Sequence, residues 1–549
     1  MTSLRQSCIC ERFTFQCPTF SNLYTGLLLL LVIAVTSNLH AQVYTDMHDF
    51  RCQVDGCGVV YAGIVAQGRD GNLYGTKETG TGGGGTIYTI APSGAFNVIF
   101  NFNSAGTDGH DPTTGLTLGA DGNFYGGTAT AGANGTGTLF RVTPAGVLTT
   151  LHDFTATELG FPYGPPVMGK NGTFYGVTHY GKAWSLTQSG NFKLLPNPTP
   201  GDSRAPLTPA SDGNFYGTTI NGGTGNGTVF QMSLAGKITI IYNFDNTHGA
   251  KPIGPVIQGS DGFLYGTAST GGSIPNAFGV VFKLSTKGVI TVLHEFDSTS
   301  TTDGFQPLAG LVEASDGNFY GTAFSGPGNG HGVLFKITKT GAYTVLHTFT
   351  TATGCSPSTT AIQNTNGIIY GHTNGCGGFY FNGVFYSLDA GLSPFVSLVG
   401  YPAALAGKSV EILGQGLSGA TSVKFGSGSA TFKVVSDTYM TAVVPTSGAT
   451  GPVTVTTPGG TLKSKQVFSV IPLVNSFSPT SGPVGTQVTI TGSGFTGASS
   501  VIFGKAKAIT FTVDSGTQIT ATVPAGATTG KITVTTAGGK ASKGTFVVN

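Results

Sequence analysis

The chain has 549 residues, enough for several domains, yet only 9% are charged and the formal net charge is +2. With no basic cluster, the sequence excludes a nucleic-acid footprint and a polybasic membrane-surface role. Glycine is abundant at 88 residues, tryptophan occurs once (Trp184), and no long stretch has helical periodicity, a composition that points to an all-β protein with many tight turns.

Residues 1–41 read as a secretion signal peptide. Arg5 and Arg12 precede the apolar run 27–35, and Leu39-His40-Ala41 ends on a small residue suited to cleavage. The run is shorter than the ~20 residues a membrane span needs. No membrane span is expected after signal removal, and the expected localisation is secreted or cell-surface. Cys8, Cys10 and Cys17 fall before the run; Cys52, Cys57, Cys355 and Cys376 follow it. Four cysteines in an exported chain imply two disulfides.

Residues 42–393 contain seven copies of one motif: Asp-Gly-Asn-Phe-Tyr-Gly at 121–126, 212–217 and 316–321, with variants at 70–75, 171–176, 261–266 and 367–372. Its tyrosines, Tyr74, Tyr125, Tyr175, Tyr216, Tyr265, Tyr320 and Tyr370, recur every 41 to 55 residues. A β-type repeat of that period predicts the blades of a seven-bladed β-propeller. In the sixth unit, strand 307–314 turns at Asp316-Gly317-Asn318 into 319–324. A glycine-rich loop leads to 333–338, and Thr340-Gly341 turns into 343–349. The third unit is degenerate around 193–200, and the seventh lacks a fourth strand of its own. Met47-His48-Asp49-Phe50 carries the missing fourth-strand pattern, so residues 44–50 are expected to close blade seven. That removes an exposed edge.

Strand alternation puts the Asp-Gly-Asn turns on one face. The glycine-rich and inter-blade loops, with all four cysteines, fall on the other. The expected pairing is Cys52–Cys57 and Cys355–Cys376, with a cross-pairing that staples the seam as the alternative.

Two copies of a different unit follow, at 394–471 and 472–549. Gly414-Gln415-Gly416 matches Gly492-Ser493-Gly494, and Phe425-Gly426 matches Phe503-Gly504. Six or seven short alternating strands in each predict two immunoglobulin-like β-sandwiches without a Cys-Trp-Cys core. The stretch 478–495, Ser-Pro-Thr-Ser-Gly-Pro-Val-Gly-Thr-Gln-Val-Thr-Ile-Thr-Gly-Ser-Gly-Phe, resembles the IPT/TIG family of surface and secreted proteins. The first copy departs from it at Gly400-Tyr401-Pro402-Ala403. The upstream units, through the Tyr-Gly motif and the Leu-His-x-Phe strands, resemble the GloVer (choice-of-anchor) tandem-repeat family of exported bacterial proteins. That resemblance implies export and supplies no activity.

The chemistry reads mostly as structure. Asp70, Asp121, Asp212, Asp261 and Asp316 offer oxygens that suit calcium. However, Asp-Gly and Asn-Gly are preferred turns that tolerate positive φ, and turn chemistry is the expected role. His48, His152, His294 and His347 recur at one strand position, where Asn101 and Asn243 are expected in other blades. Equivalent positions spread around a ring are too far apart for one tetrahedral site, so no metal centre is expected. Glycine-rich stretches 82–85 and 222–227 lack the Gly-Lys-Ser/Thr ending of a phosphate loop.

No catalytic residues are assigned. Glutamate is scarce after the leader (Glu78, Glu158, Glu295, Glu313, Glu411), and no Gly-x-Ser-x-Gly or His-Glu-x-x-His occurs. Asp55, Asp108, Asp111, Asp202 and Asp303 lie in loops of the cysteine-bearing face, where a polysaccharide hydrolase or lyase would assemble its carboxylates. The reading is a binding or adhesion protein without cofactors, its loop face taking an extracellular glycan or a surface protein and its IPT/TIG pair acting as spacer. A polysaccharide-degrading enzyme and a structural envelope component are the alternatives. Phe161, Tyr163, Tyr180, Phe305 and Tyr380 are the candidate ligand-stacking residues.

Overall fold

Residues 43–389 build seven four-stranded antiparallel sheets. The computed structural model describes residues 42–58, 65–328, 330–377 and 382–549; residues 1–41, where a signal peptide is expected, lie outside them. Blade six is representative: Val312–Glu313, Phe319–Ala323, Val333–Ile337 and Tyr343–Thr348, each paired with its sequence neighbour. Its second strand is buried along its whole length, its third at all but one position, and its fourth is half-exposed. Sheets packed against a neighbour on both faces bury their middle strands, so these read as unbroken apolar runs.

The Tyr-Gly motif is a packing device. Each motif glycine pairs across the strand with a bulky ring: Gly75 with Tyr88, Gly176 with Trp184, Gly217 with Phe230 and Gly371 with Tyr386. A Cβ on Gly176 would fall 2.1 Å from Trp184 Cζ2, and one on Gly75 would fall 2.4 Å from Tyr88 Oη. The ring lies flat over the glycine, so no side chain fits there. The motif tyrosine faces the next blade. Tyr74 stacks on Phe124 at 4.1 Å and Tyr265 on Phe319 at 4.0 Å. Tyr370 packs in one cluster with Leu73, which carries the pattern across the seam.

The seventh sheet closes the ring. Its first three strands are Ile362–Gln363, Ile369–His372 and Val384–Asp389, and its outer strand is the N-terminal Val43–Asp49, antiparallel to Val384–Asp389. Tyr44 from that strand stacks on His347 of blade six, ring centroids 3.8 Å apart.

The recurring histidines prove to be inter-blade plates. His48 lies flat on Phe96, His152 on Phe192 and His294 on Tyr343, at 3.6 to 3.9 Å. The residues equivalent to them are Phe100 and Tyr242, not Asn101 and Asn243. Phe100 faces Ile87 and Tyr242 faces Val229, as His152 faces Leu139 and His294 faces Val281. Aligned on the closing phenylalanine, Leu-His-Asp-Phe (151–154) matches Ile-Phe-Asn-Phe (99–102) and Ile-Tyr-Asn-Phe (241–244), so the ring and not the asparagine after it takes the histidine's place; one residue further along, a side chain lies on the opposite face. Where the next blade offers Leu148 or Ile290 instead of a ring, Phe100 or Tyr242 takes the place of histidine and packs in the same cluster.

Residues 396–548 form two sandwiches, each a four-stranded sheet on a five-stranded one. Val396, Ile412, Phe425, Met440 and Phe468 are among the core residues of the first. Val488, Ile490, Phe503, Ile532 and Phe546 are among those of the second. Their inner faces supply the apolar layer that makes a sandwich stable. Among the described residues no helix is long and apolar enough to cross a membrane.

Candidate functional site

The two ends of the propeller differ in what covers them. The turn-bearing end holds the first sandwich. Arg69, just before the first Asp-Gly-Asn turn, reaches Glu411 at 2.7 Å and lies 4.7 Å over the Tyr439 ring. Thr438 donates its hydroxyl to Arg69 O at 2.7 Å, Thr365 donates to Gly414 O at 3.1 Å, and Tyr401 donates to Ala210 O at 2.9 Å. Lys465 sends its ammonium inward, to Glu313 O at 3.0 Å and Gln363 Oε1 at 3.3 Å, with the Phe395 ring 4.4 Å away. Burial pushes that amine down to about 8. Between these contacts lies a cavity of about 330 Å³, walled by first-strand residues Gln67, Thr117, Val312 and Gln363 and by Phe395 and Leu398. The first sandwich is therefore docked over the channel and is not held away from the propeller by a spacer.

The turns at this end are self-satisfied. Asp70 accepts from Asn72 Nδ2 at 2.7 Å and from the Tyr74 hydroxyl at 2.8 Å, and Asp121, Asp212 and Asp316 repeat both bonds. Asp261, which lacks the asparagine, takes Tyr265 and Lys283 instead. Burial acts to raise the Asp121 carboxyl, but donors from Asn123 and Tyr125 outweigh it and hold the group below the usual range. Asp, Gly and Tyr at this spacing thus form one turn-and-anchor unit.

The opposite end carries the loops and both disulfides, Cys52–Cys57 and Cys355–Cys376. Here blade three gathers aromatic side chains. Phe161 and Tyr163 come from the loop into its first strand, and Tyr180 comes from the loop between its second and third. Phe161 shares its left-handed backbone, φ 62°, with Asp111, Lys251, Gln306 and Ser356 at the same loop position, and its ring lies edge-on to Tyr180, 5.8 Å away. His179 joins them, 5.1 Å from Tyr163 and 4.8 Å from Tyr180. Tyr180 is 53% exposed. Burial, then the Arg204 charge, lowers the His179 imidazole below its usual value, and the Asp202 carboxylate opposes them in part. Asp202, whose carboxylate accepts from Asn221 Nδ2 at 2.9 Å, completes the surround.

Phe161, Tyr163 and Tyr180 thus come together. Phe305 does not join them: it sits on the loop into blade six, edge-on to Phe278 at 6.0 Å. Tyr380 lies outside the described residues. His179 and Arg204 escaped the sequence reading, although the His179-Tyr180 pair on a glycine-bounded loop was a usable signal. Several loop carboxylates are engaged within their own blades. Asp55 is held by His48 and Arg51, Asp303 by His294, and Asp111 by Thr130.

One buried pair follows no repeat. Lys77, fully buried, places Nζ 3.3 Å from His372 Nδ1 and 4.1 Å over the Phe50 ring, at the seam of blades one and seven. Burial lowers the Lys77 amine to about 7 and, with the Lys77 charge, lowers His372 further below its usual value.

Fold and site together define the class: a repeat-built β-propeller whose channel is covered at one end by an immunoglobulin-like module. The chain belongs to the family described as the Gloeobacter/Verrucomicrobia repeat, matched over residues 36–197 and 184–386, and carries two IPT/TIG domains at 394–470 and 472–548. Among solved structures it is similar to virginiamycin B lyase from Staphylococcus aureus at 16% identity, over 63% of this chain and 98% of that one, with a TM-score of 0.44. It is also similar to the surface glycan-binding protein PbSGBP-B from Prevotella bryantii at 20% identity, over 28% of this chain and 41% of that one, with a TM-score of 0.21. No curated protein matches it.

Proposed function

We propose that this is an exported binding protein whose loop face holds an extracellular glycan on the blade-three cluster. The observation that carries it is the grouping of Phe161, Tyr163, His179 and Tyr180 at the propeller end that the IPT/TIG domain leaves open. Sugar rings present C–H faces that pack on aromatic faces, while their hydroxyls need polar partners at the rim. Tyr180 supplies an exposed ring, and Arg204, Asp202 and His179 supply donors and acceptors beside it. The docked first IPT/TIG domain makes the propeller a cup with one free face, and the second domain extends from it as the spacer.

The test is a polysaccharide and glycan screen on residues 42–549, with and without calcium, with released sugars read from the same wells. Saturable binding without product, weakened about tenfold or more by Tyr180→Ala or Tyr163→Ala, is expected from loss of one stacked ring. Released product would replace binding with catalysis as the reading. Binding unchanged in both variants would move the site away from blade three.

A further inference from the structure

Cys355 and Cys376 are bonded to each other, and His331 brings a third ligand atom to them. Its Nδ1 lies 3.8 Å from Cys376 Sγ, and that nitrogen and both sulfurs fall within 4.8 Å of one another. Among the described residues this is the one group of three or more such side chains close enough to share an ion. The corner is held by backbone, independently of the sulfur–sulfur bond. Cys355 and Gly375 exchange N–H···O bonds at 2.7 and 3.2 Å, and Asn374 N–H donates to Cys355 O at 3.2 Å. Ser356 N–H donates to His331 O at 3.0 Å, and Gly383 N–H donates to Cys376 O at 2.9 Å. Opening the disulfide leaves two sulfurs facing each other with an imidazole beside them.

We propose that this corner is a redox-gated metal site: once the disulfide is reduced, His331 Nδ1 and the Cys355 and Cys376 thiolates bind one borderline-soft dication of the Zn²⁺ type. Two sulfurs and one imidazole are a common zinc donor set, with water in the open fourth position. At bond lengths of about 2.0–2.3 Å, tetrahedral ligand atoms stand roughly 3.3–3.8 Å apart. The His331–Cys376 distance already lies in that range, and the sulfurs reach it by separating after reduction. The balance is simple. A thiol reductant gives two electrons and leaves as its own disulfide, producing two thiols; the dication then displaces their two protons while His331 coordinates neutral. Cys52–Cys57 is the internal control. Cys57 Sγ has Thr79 Oγ1 at 3.0 Å, and among the described residues no comparable ligand group surrounds it. The site belongs to blade seven and does not depend on glycan binding at blade three.

The test titrates Co²⁺ into residues 42–549, reduced with a phosphine and freed of it under inert gas. Tetrahedral d–d bands and a thiolate charge-transfer band report binding. One Co²⁺ per chain, displaced by Zn²⁺, is expected for the reduced protein and for reduced Cys52→Ser/Cys57→Ser, and none for either protein when oxidised. His331→Ala should weaken binding at least about tenfold, and Cys355→Ser/Cys376→Ser should abolish it. No thiolate band in the reduced protein, or a band that survives Cys355→Ser/Cys376→Ser, overturns the proposal. If that double variant does not fold by Trp184 fluorescence, His331→Ala decides, since it keeps both cysteines: unchanged affinity overturns the site.

Discussion

Lys77→Met should make the propeller more stable near neutral pH and flatten its pH dependence. Lys77 is fully buried; its partners are His372 Nδ1 and the Phe50 ring, and the Glu78 charge offsets only part of the burial. The amine falls from 10.5 to about 7 on folding. Stability rises with pH wherever the unfolded state binds more protons. Between about 7 and 10.5 the unfolded lysine is protonated and the native one is not, so the native state gains across that window and bears the full cost below it. At ~1.36 kcal/mol per pH unit the cost is on the order of 4 kcal/mol at about pH 7.5 and between about 1 and 2 at about pH 9.5, both upper bounds. Methionine fills similar volume with no charge to desolvate. It leaves His372 Nδ1 without its partner, at a cost of about 1–3 kcal/mol that does not change across this window. The slope with pH is therefore the readout, not the absolute difference. Urea unfolding followed by Trp184 fluorescence isolates the propeller, because the one tryptophan is buried in blade three. Wild type should gain roughly 2–3 kcal/mol relative to Lys77→Met between those two pH values. Parallel pH profiles for the two proteins would refute the reasoning.

Other expectations follow from the seams and the docked domain. Deleting residues 42–50 removes the outer strand of blade seven and the Tyr44–His347 stack; the unfolding transition should broaden, and a truncation that melts like the intact chain contradicts the closure. His152→Leu loses the flat contact with Phe192 and the Glu158 interaction at 3.1 Å, at an expected cost of roughly 1–2 kcal/mol, with His152→Phe costing less because the stack survives. Trp184 fluorescence in urea measures both. Arg69→Ala combined with Lys465→Ala removes the ion pair and the inward ammonium that hold the first IPT/TIG domain. Small-angle scattering should then show a larger maximum dimension, and an unchanged profile would assign the docking to the remaining hydrogen bonds and apolar contacts.

Much of the fold was written in short-range pattern. The Asp-Gly-Asn turn, the tyrosine two places later and the glycine after it act within one hairpin, so seven repetitions made the blade legible without any long-range contact. Histidine's role was harder to see. Its strand position was visible, and alignment on Phe102 and Phe244 puts Phe100 and Tyr242, not Asn101 and Asn243, at that position; what the sequence did not show is the residue of the next blade that each of them packs on. The aromatic site was half legible. Loop aromatics were identifiable by type, yet which of them converge depended on how the two blade-three loops pack against each other.

Sequence by itself determined the repeat, the four-strand grammar, the two sandwiches and the spare strand that completes blade seven, because each rests on periodicity or on a pattern repeated elsewhere in the chain. Tertiary structure alone decided what occurs once. Arg69 meets Glu411 across 342 residues and Lys77 meets His372 across 295, and His331 arrives beside a disulfide 45 residues from Cys376. Such pairs have no period to betray them: they form because closing the ring and docking a domain bring distant loops into one place, and only the folded chain specifies which loops those are.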